Sequence, residues 1–518
     1  MEDIICFDIE TTGLSMLDDY RIGAIHRDGI METMRNPEEL ITTLVEACTR
    51  DKYLSGHNIV SFDLPFLISL EYRKYKTFTL AHTLRGRGNQ ILDTLIASRI
   101  EIPDVTGHSM TAWVERLRKA GDTNIPNKTE IEDWDTASEL EILERVANDV
   151  KIQTKLTKYF CGEYGSKWEG LPCYQHISRI FPFMSEAVGR GIPLFKDKSD
   201  AIKARLIRDR ATAALAVYRE FGTMNPNSTK QINQAVLARY GKELPYTTKI
   251  NKKGEEISNP SYSTKNRAEC HRMFPDLNVV SEYRDEDKQL AFLKDTGKKS
   301  LVRTENNPNG TVVYPGFSFM AQEGLRSSYS DPPINQVDRR IRAMIGLGGW
   351  VCVGCDIESL EYTELAHTLD FMFSSPELKS ELEAGVNPKD KTVQVFGDLF
   401  ENIEEDKRRD VAKTLNYAVL YGQKVTGTLN LFKLPRDRYE EVEAAREERF
   451  PGLSELMEYI EGAKDNDGCI MNKYGVGVKV YGHEGLNKFV QSSGALASYT
   501  ALGLFYHNLF TRLSLIHI

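Results

Sequence analysis

Arg409-Asp-Val-Ala-Lys413-Thr-Leu-Asn-Tyr417-Ala-Val-Leu-Tyr421-Gly422 is the stretch on which the reading of this 518-residue chain turns. Arg409, Lys413, Tyr417 and Tyr421 recur every four residues. At about 3.6 residues per turn, this spacing lines two cations and two aromatic rings along one helix face, and Gly422 supplies a stop signal. Cations on such a face can grip phosphates, and the rings can stack on a base or a sugar. The plainer alternative is a solvated helix with some buried tyrosines.

Moving outward, Trp350-Val-Cys-Val-Gly-Cys355-Asp356 reads as a strand ending in an acid. It runs on into Ile357-Glu358-Ser359-Leu360-Glu361-Tyr362-Thr363-Glu364-Leu365-Ala366-His367. An N-cap role for Asp356 is the bland alternative. Upstream, the segment from Gly324 to Val337 holds Arg326, Ser327, Ser328, Asn335 and Gln336. Downstream, Asp467 to Tyr481 alternates and carries Gly475 and Gly477, so a hairpin is expected. His483 to Ala495, with Gln491, follows it.

Together these segments resemble family A DNA polymerases, the DNA polymerase I family. The central stretch meets every position of that family's R-x-x-x-K-x-x-x-(F/Y)-x-x-x-Y-G helix. The resemblance implies that Arg409 and Lys413 hold an incoming triphosphate, that Tyr417 packs on the nucleotide and that Tyr421 lies beside the templating base. It implies that Asp356 is a ligand of two Mg2+ ions and that Glu361 excludes a 2′-hydroxyl. It assigns Arg326, Asn335, Gln336 and Gln491 to primer-template contacts, with dNTPs as substrates. The match has departures. Thr363 stands where the family has Arg, and Asn335-Gln336 replaces Gln-Asn. Gly385 to Thr392 lacks the family's His, leaving Lys389 for a phosphate contact. The family's H-D-E motif, with its second palm acid, belongs further beyond Gln491 than Ile518 lies, so a palm truncated before that motif is expected.

At the other end, Ile4-Ile5-Cys6-Phe7-Asp8-Ile9-Glu10-Thr11-Thr12-Gly13 reads as a buried strand closing in a turn. Residues i and i+2 share a strand face, so Asp8 and Glu10 can point at one cation. Gly56-His57-Asn58-Ile59-Val60-Ser61-Phe62-Asp63, then Asp93-Thr94-Leu95, and a helical run holding Asp149 follow. Four such carboxylates, Asp8, Glu10, Asp63 and Asp149, can hold two divalent ions for phosphodiester cleavage. These segments resemble DEDD proofreading exonucleases, and in places those of small-tailed phage polymerases. The family's Tyr four residues before the last Asp, or His five before, is here Arg145 or Glu144. Arg145 and Asp149 are spaced for a helix ion pair, and a weakened 3′-5′ exonuclease is expected.

The expected fold is α/β multidomain: a ribonuclease H-like exonuclease domain (1–165), thumb (166–300), first part of the palm (301–398), fingers (399–468) and an incomplete second part of the palm (469–518). In the thumb, Lys203, Arg205, Arg208 and Arg210 can track a phosphate backbone, and Glu243 to Ser263 reads as a tip loop too short for a large processivity-factor insertion. Net charge is −9, hydrophobic content 41% and charged content 27%, which suits a globular protein with local rather than global basic surface. No apolar run of about 18 residues marks a membrane span, no basic-then-apolar leader opens the chain, and scattered cysteines suit a reduced, cytoplasmic setting. Cys352 and Cys355, without a second pair, do not make a zinc site. The expected function is DNA-directed DNA polymerisation with proofreading, in phage replication. The rivals are a polymerase-inactive fragment that binds DNA and digests 3′ ends, and a nuclease acting on RNA.

Overall fold

The computed structural model describes residues 3–101, 107–134, 136–163, 172–250, 256–263, 266–303, 311–320, 325–346, 357–463, 468–479 and 485–513. The chain forms two compact units: Met1–Arg190 with Phe317–Ser328 and Val353–Ile518, and Gly191–Gly316 with Tyr329–Cys352.

The first unit opens with a mixed sheet. Its strands are β1 (Ile4–Thr11), β2 (Tyr20–Arg27), β3 (Ile30–Met34), β4 (Tyr53–Gly56) and β5 (Ile91–Asp93), in the order β3-β2-β1-β4-β5. β1 runs antiparallel to β2 and parallel to β4, and it is buried from Ile5 onward. That central position is why it reads as an apolar run interrupted only by Asp8 and Glu10. Three helices matter for the site: α1 (Asp63–Tyr75), α2 (Glu139–Lys158) and α3 (Phe181–Arg190). α2 starts in a capping box, where Ser138 Oγ accepts from Glu141 N and the Glu141 carboxylate accepts from Ser138 N. Its Ile142, Val146 and Val150 pack with Cys6, Ile22 and Ala24 of the sheet.

The second unit is built on α4 (Lys196–Phe221) packed against α5 (Asn278–Leu290), with a core of Val217, Ile232, Val236, Phe274 and Val280. Three of the four cations in the expected basic track of α4 are already paired. Arg210 meets Asp287 at 2.7 Å, Lys203 meets Asp295 at 3.0 Å and Arg205 meets Asp209 at 3.7 Å. The stretch expected as a tip loop instead contains a β-hairpin, Tyr246–Ile250 paired with Glu256–Pro260. Its polar residues on both faces hide the strand period from hydropathy. Thr247, Thr248, Ile250 and Ile257 are the β-branched residues that favour it.

The rest of the first unit is mainly helical: α6 (Leu360–Phe373), α7 (Pro388–Phe396), α8 (Glu405–Leu420), α9 (Tyr439–Arg449) and the long α10 (Gly485–Leu513). Leu365, Leu369, Phe396, Leu415, Val419, Phe432 and Phe489 share one core. The expected hairpin is present, with Cys469–Met471 antiparallel to Gly477–Lys479. A buried carboxylate ties α10 to the N-terminal region. Glu186 on α3 accepts from Arg85 at 2.6 Å and from Tyr506 of α10 at 3.1 Å, and it pairs with Arg190 at 2.7 Å. No described helix is long and apolar enough to cross a membrane.

Candidate active sites

The central stretch folds as expected from its spacing. α8 spans Glu405–Leu420, with Glu405 and Asp406 in its first turn, where the helix dipole favours acids. Gly422 ends it at φ +76°, a conformation that costs a side chain. Ala412, Leu415, Asn416, Val419 and Leu420 face the core, and Arg409 and Lys413 are exposed. Tyr417 is half-buried and packs on the core edge, and Tyr421 is exposed.

Lys413 and Tyr417 open onto a pocket shared with Tyr362, Pro388 and Lys389. Lys389, the residue left for a phosphate contact in the sequence, is one of the lining residues. It lies in the first turn of α7, whose N-terminal end also favours an anion. Arg409 is not in the pocket wall. It pairs with Asp390 at 2.7 Å, but both side chains are well exposed, so the pair adds little stability and a phosphate can replace it readily. Glu361 is half-buried in the first turn of α6. Asp356, its strand, Cys352 and Cys355 lie outside the described residues.

The DNA-contact candidates are placed separately. Arg326 is exposed in the segment just before Ser328, and that segment is pinned by Tyr499 of α10. The Tyr499 hydroxyl donates to Leu325 O at 2.8 Å and lies 2.9 Å from Ser327 Oγ. Asn335 and Gln336 are exposed on a short 3-10 turn of the second unit. Gln491 is half-buried on α10.

The N-terminal acids converge. Ligand oxygens of Asp8, Glu10 and Asp149 lie within 4.8 Å of one another. Asp63, at the start of α1, is tied beside them by the Ile9 N–H at 3.2 Å. The loop that brings Asp63 in is clamped by Asp93, whose carboxylate accepts from the backbone N–H groups of Asn58, Val60, Leu95 and Ile96 at 3.0–3.2 Å. The Asp93-Thr94-Leu95 motif thus shapes the loop. His57 beside it is half-buried, and the loss of solvent around its ring pulls its pKa down to about 3.

Two cations reach into the cluster. Arg145 donates to Glu10 Oε1 at 2.6 Å, and Lys128 lies 3.5 Å from Asp149 Oδ2. The spacing suggested an Arg145–Asp149 pair, but β1 brings Glu10 nearer to the guanidinium. The segment carrying Lys128 and Thr129 is fastened to α2: Thr129 O accepts from Arg145 at 2.8 Å, and Thr129 Oγ1 accepts from Asn148 at 2.9 Å. Trp134 is close to two guanidinium groups, with Arg145 4.9 Å and Arg21 5.8 Å from its ring centroid. Gln153 donates to Asp8 Oδ1 at 2.7 Å. Lys128, Trp134 and Gln153 escaped the sequence reading. Only Gln153 left a signal, one helical turn beyond Asp149 on α2.

Asp149 is 2% exposed, yet its Oδ1 accepts no hydrogen bond from the described residues. A buried, unsatisfied carboxylate oxygen among hard oxygen donors fits a divalent cation such as Mg2+. Burial raises all four carboxyl pKa values, with mutual repulsion adding to the rise for Asp8. Asp63 is pushed up to about 8. A carboxyl raised in this way takes up a proton on folding, so the contribution of Asp63 to stability is full below about pH 4 and is lost as the pH rises toward about 8. In chelator, Tm is therefore expected to fall across that window. Mg2+ or Mn2+ should flatten the fall, and Asp63→Asn should reduce its slope. Calorimetry at several pH values checks this, and a metal-independent Tm that rises with pH would contradict it.

Comparison with known proteins now gives the class. The fold matches the POL domain of Pol1 from M. smegmatis, solved with DNA primer-template and dNTP. The TM-score is 0.65 at 14% identity, covering 99% of this chain and 86% of that one, so this likeness is one of fold. The sequence profile of DNA polymerase family A matches residues 196–483, and the chain belongs to that family. DNA polymerase I of Rhizobium leguminosarum is 23% identical over 312 residues, 58% of this chain and 29% of that protein. DNA polymerase I of Helicobacter pylori is 25% identical over 431 residues, 78% of this chain and 42% of that protein. The chain thus spans less than half the length of these relatives.

Proposed function

We propose that this protein is a DNA-directed DNA polymerase that adds dNTPs to a primer 3′ end, with an N-terminal 3′-5′ exonuclease that proofreads. The observation that carries the reading is the pocket in which Lys389, Lys413 and Tyr417 meet, within a family A chain. Lys413 and Lys389 supply positive charge for the triphosphate, Arg409 exchanges Asp390 for a phosphate, and Tyr417 offers its ring to the nucleotide. Tyr421, Arg326, Asn335, Gln336 and Gln491 contact primer-template DNA. Asp356 would hold Mg2+ at the polymerase site, and Asp8, Glu10, Asp63 and Asp149 would hold it at the N-terminal site; two bound ions at each would supply charge neutralisation for the reacting phosphate. Residues 166–300 act as thumb, 301–398 and 469–518 as palm, and 399–468 as fingers. The mixed sheet order β3-β2-β1-β4-β5 and the converging acids support a ribonuclease H-like exonuclease over 1–165. The sequence resemblance to small-tailed phage polymerases supports a role in phage DNA replication in the host cytoplasm.

One experiment tests this reading: a labelled primer on a longer template, with Mg2+, with and without dNTPs. Extension with dNTPs supports it. Shortening alone favours the exonuclease-only reading, and no reaction with or without dNTPs rejects both. If Glu361 guards the sugar, Glu361→Ala should raise ribonucleotide incorporation by about tenfold or more, and unchanged discrimination would remove it from that role.

A further inference from the structure

Behind the nucleotide pocket lies a buried polar relay that the proposed chemistry does not use. Arg449, the last residue of α9, is 1% exposed. Its Nε donates to Thr392 Oγ1 at 2.9 Å and its Nη1 to Glu381 at 3.0 Å. Its Nη2 donates to the Tyr362 hydroxyl at 2.5 Å and to Pro388 O at 3.3 Å. All three guanidinium nitrogens are thus engaged. The cation also lies 5.7 Å from the Tyr362 ring centroid and 5.3 Å from that of Phe450.

Thr392 passes this order to α8. Its hydroxyl lies 2.8 Å from Asn416 Oδ1 and 2.8 Å from Pro388 O, and its single proton serves one of the two. Asn416 Nδ2 donates to Pro388 O at 3.3 Å. Asn416 lies three residues after Lys413 and one before Tyr417, and with Tyr362 and Pro388 it lines the pocket. One buried guanidinium therefore touches the α6 wall directly, the α7 wall directly and the α8 wall through one hydroxyl. If packing alone were needed here, apolar side chains would serve without the cost of burying a charge.

We propose that Arg449 is a positioning residue for nucleotide binding, acting through Thr392 to hold the Lys413–Tyr417 face of α8 in register with Tyr362 and Lys389. This inference rests on the reading of that pocket as the dNTP site. The relay sets how well the pocket fits the nucleotide before any reaction, so its loss weakens nucleotide binding more than turnover.

The test compares Thr392→Val, a shape-conserving change that removes only the hydroxyl, with Arg449→Lys and the double variant. Steady-state primer extension gives KM for dNTP and kcat, a gel shift gives primer-template affinity and calorimetry gives Tm. Thr392→Val is expected to raise KM for dNTP by about tenfold, with kcat within about threefold and DNA affinity unchanged. Arg449→Lys is expected to shift KM in the same direction, and the double variant to exceed the larger single effect by less than about threefold. An unchanged KM in Thr392→Val, or fully additive effects, overturns the relay. Should Arg449→Lys fail to fold, Thr392→Val alone decides by its KM. Absence of dNTP binding to the unaltered protein on primer-template, followed by calorimetric titration, would instead reject the pocket assignment on which the relay depends.

Discussion

Replacing Lys413 with alanine is expected to lower kcat/KM for dNTP incorporation by about 10²–10³-fold while leaving primer-template affinity unchanged. Lys413 is exposed on α8 yet opens onto the same pocket as Lys389 and Tyr417, so its charge is free to meet a triphosphate. Removing one fixed donor from a developing negative charge costs about 3–4 kcal/mol, which is the source of that range. Arg409→Ala should cost less, because its exposed pairing with Asp390 already competes for the guanidinium. Lys413→Arg should recover part of the rate by keeping the charge. Rapid-quench incorporation of one nucleotide gives the measurement. A Lys413→Ala enzyme with unaltered kcat/KM would move the phosphate site elsewhere.

The second large effect concerns the acidic cluster, where two substitutions should act in opposite directions. Asp149→Ala is expected to lower hydrolysis of a single-stranded primer on the order of 10³-fold, because it deletes the buried oxygen best placed to bind a cation. Arg145→Ala is expected to raise hydrolysis about tenfold. Arg145 neutralises Glu10 at 2.6 Å, so a divalent ion must compete with a resident cation for the same carboxylate. Mn2+ titration followed by paramagnetic resonance should show tighter binding in Arg145→Ala and weaker binding in Asp149→Ala. Hydrolysis that falls in both variants would make Arg145 a helper of the reaction rather than a competitor of the metal.

Much of this arrangement was legible because it rests on short-range periodicity. The i+4 spacing from Arg409 to Tyr421 specified one helix face, and the i+2 spacing of Asp8 and Glu10 specified one strand face. Asp149 could be added because its helix was readable. Long-range geometry was not legible. Arg145 chose Glu10, 135 residues away, over Asp149 one turn along its own helix, because β1 lies against α2. The same limit hid Lys128, which arrives from an irregular segment with no period to betray it. Arg449 hid among the exposed-looking charges of α9, whose sequence Tyr-Glu-Glu-Val-Glu-Ala-Ala-Arg-Glu-Glu-Arg gives no sign that its last residue is buried. The hairpin at 246–260 was missed because both its faces are polar.

The placing of Trp134 close to both Arg21 and Arg145 gives the N-terminal acidic cluster its own optical probe. Indole emission responds to a nearby positive charge, and Arg145 is the guanidinium that also holds Glu10. A cation that draws Glu10 away loosens Arg145 from the ring and alters the field the indole feels. The chain has four tryptophans, so substituting the other three with phenylalanine would leave one fluorophore whose colour and intensity report events at the carboxylates without any label. Stopped-flow emission from that variant would time metal entry separately from bond cleavage.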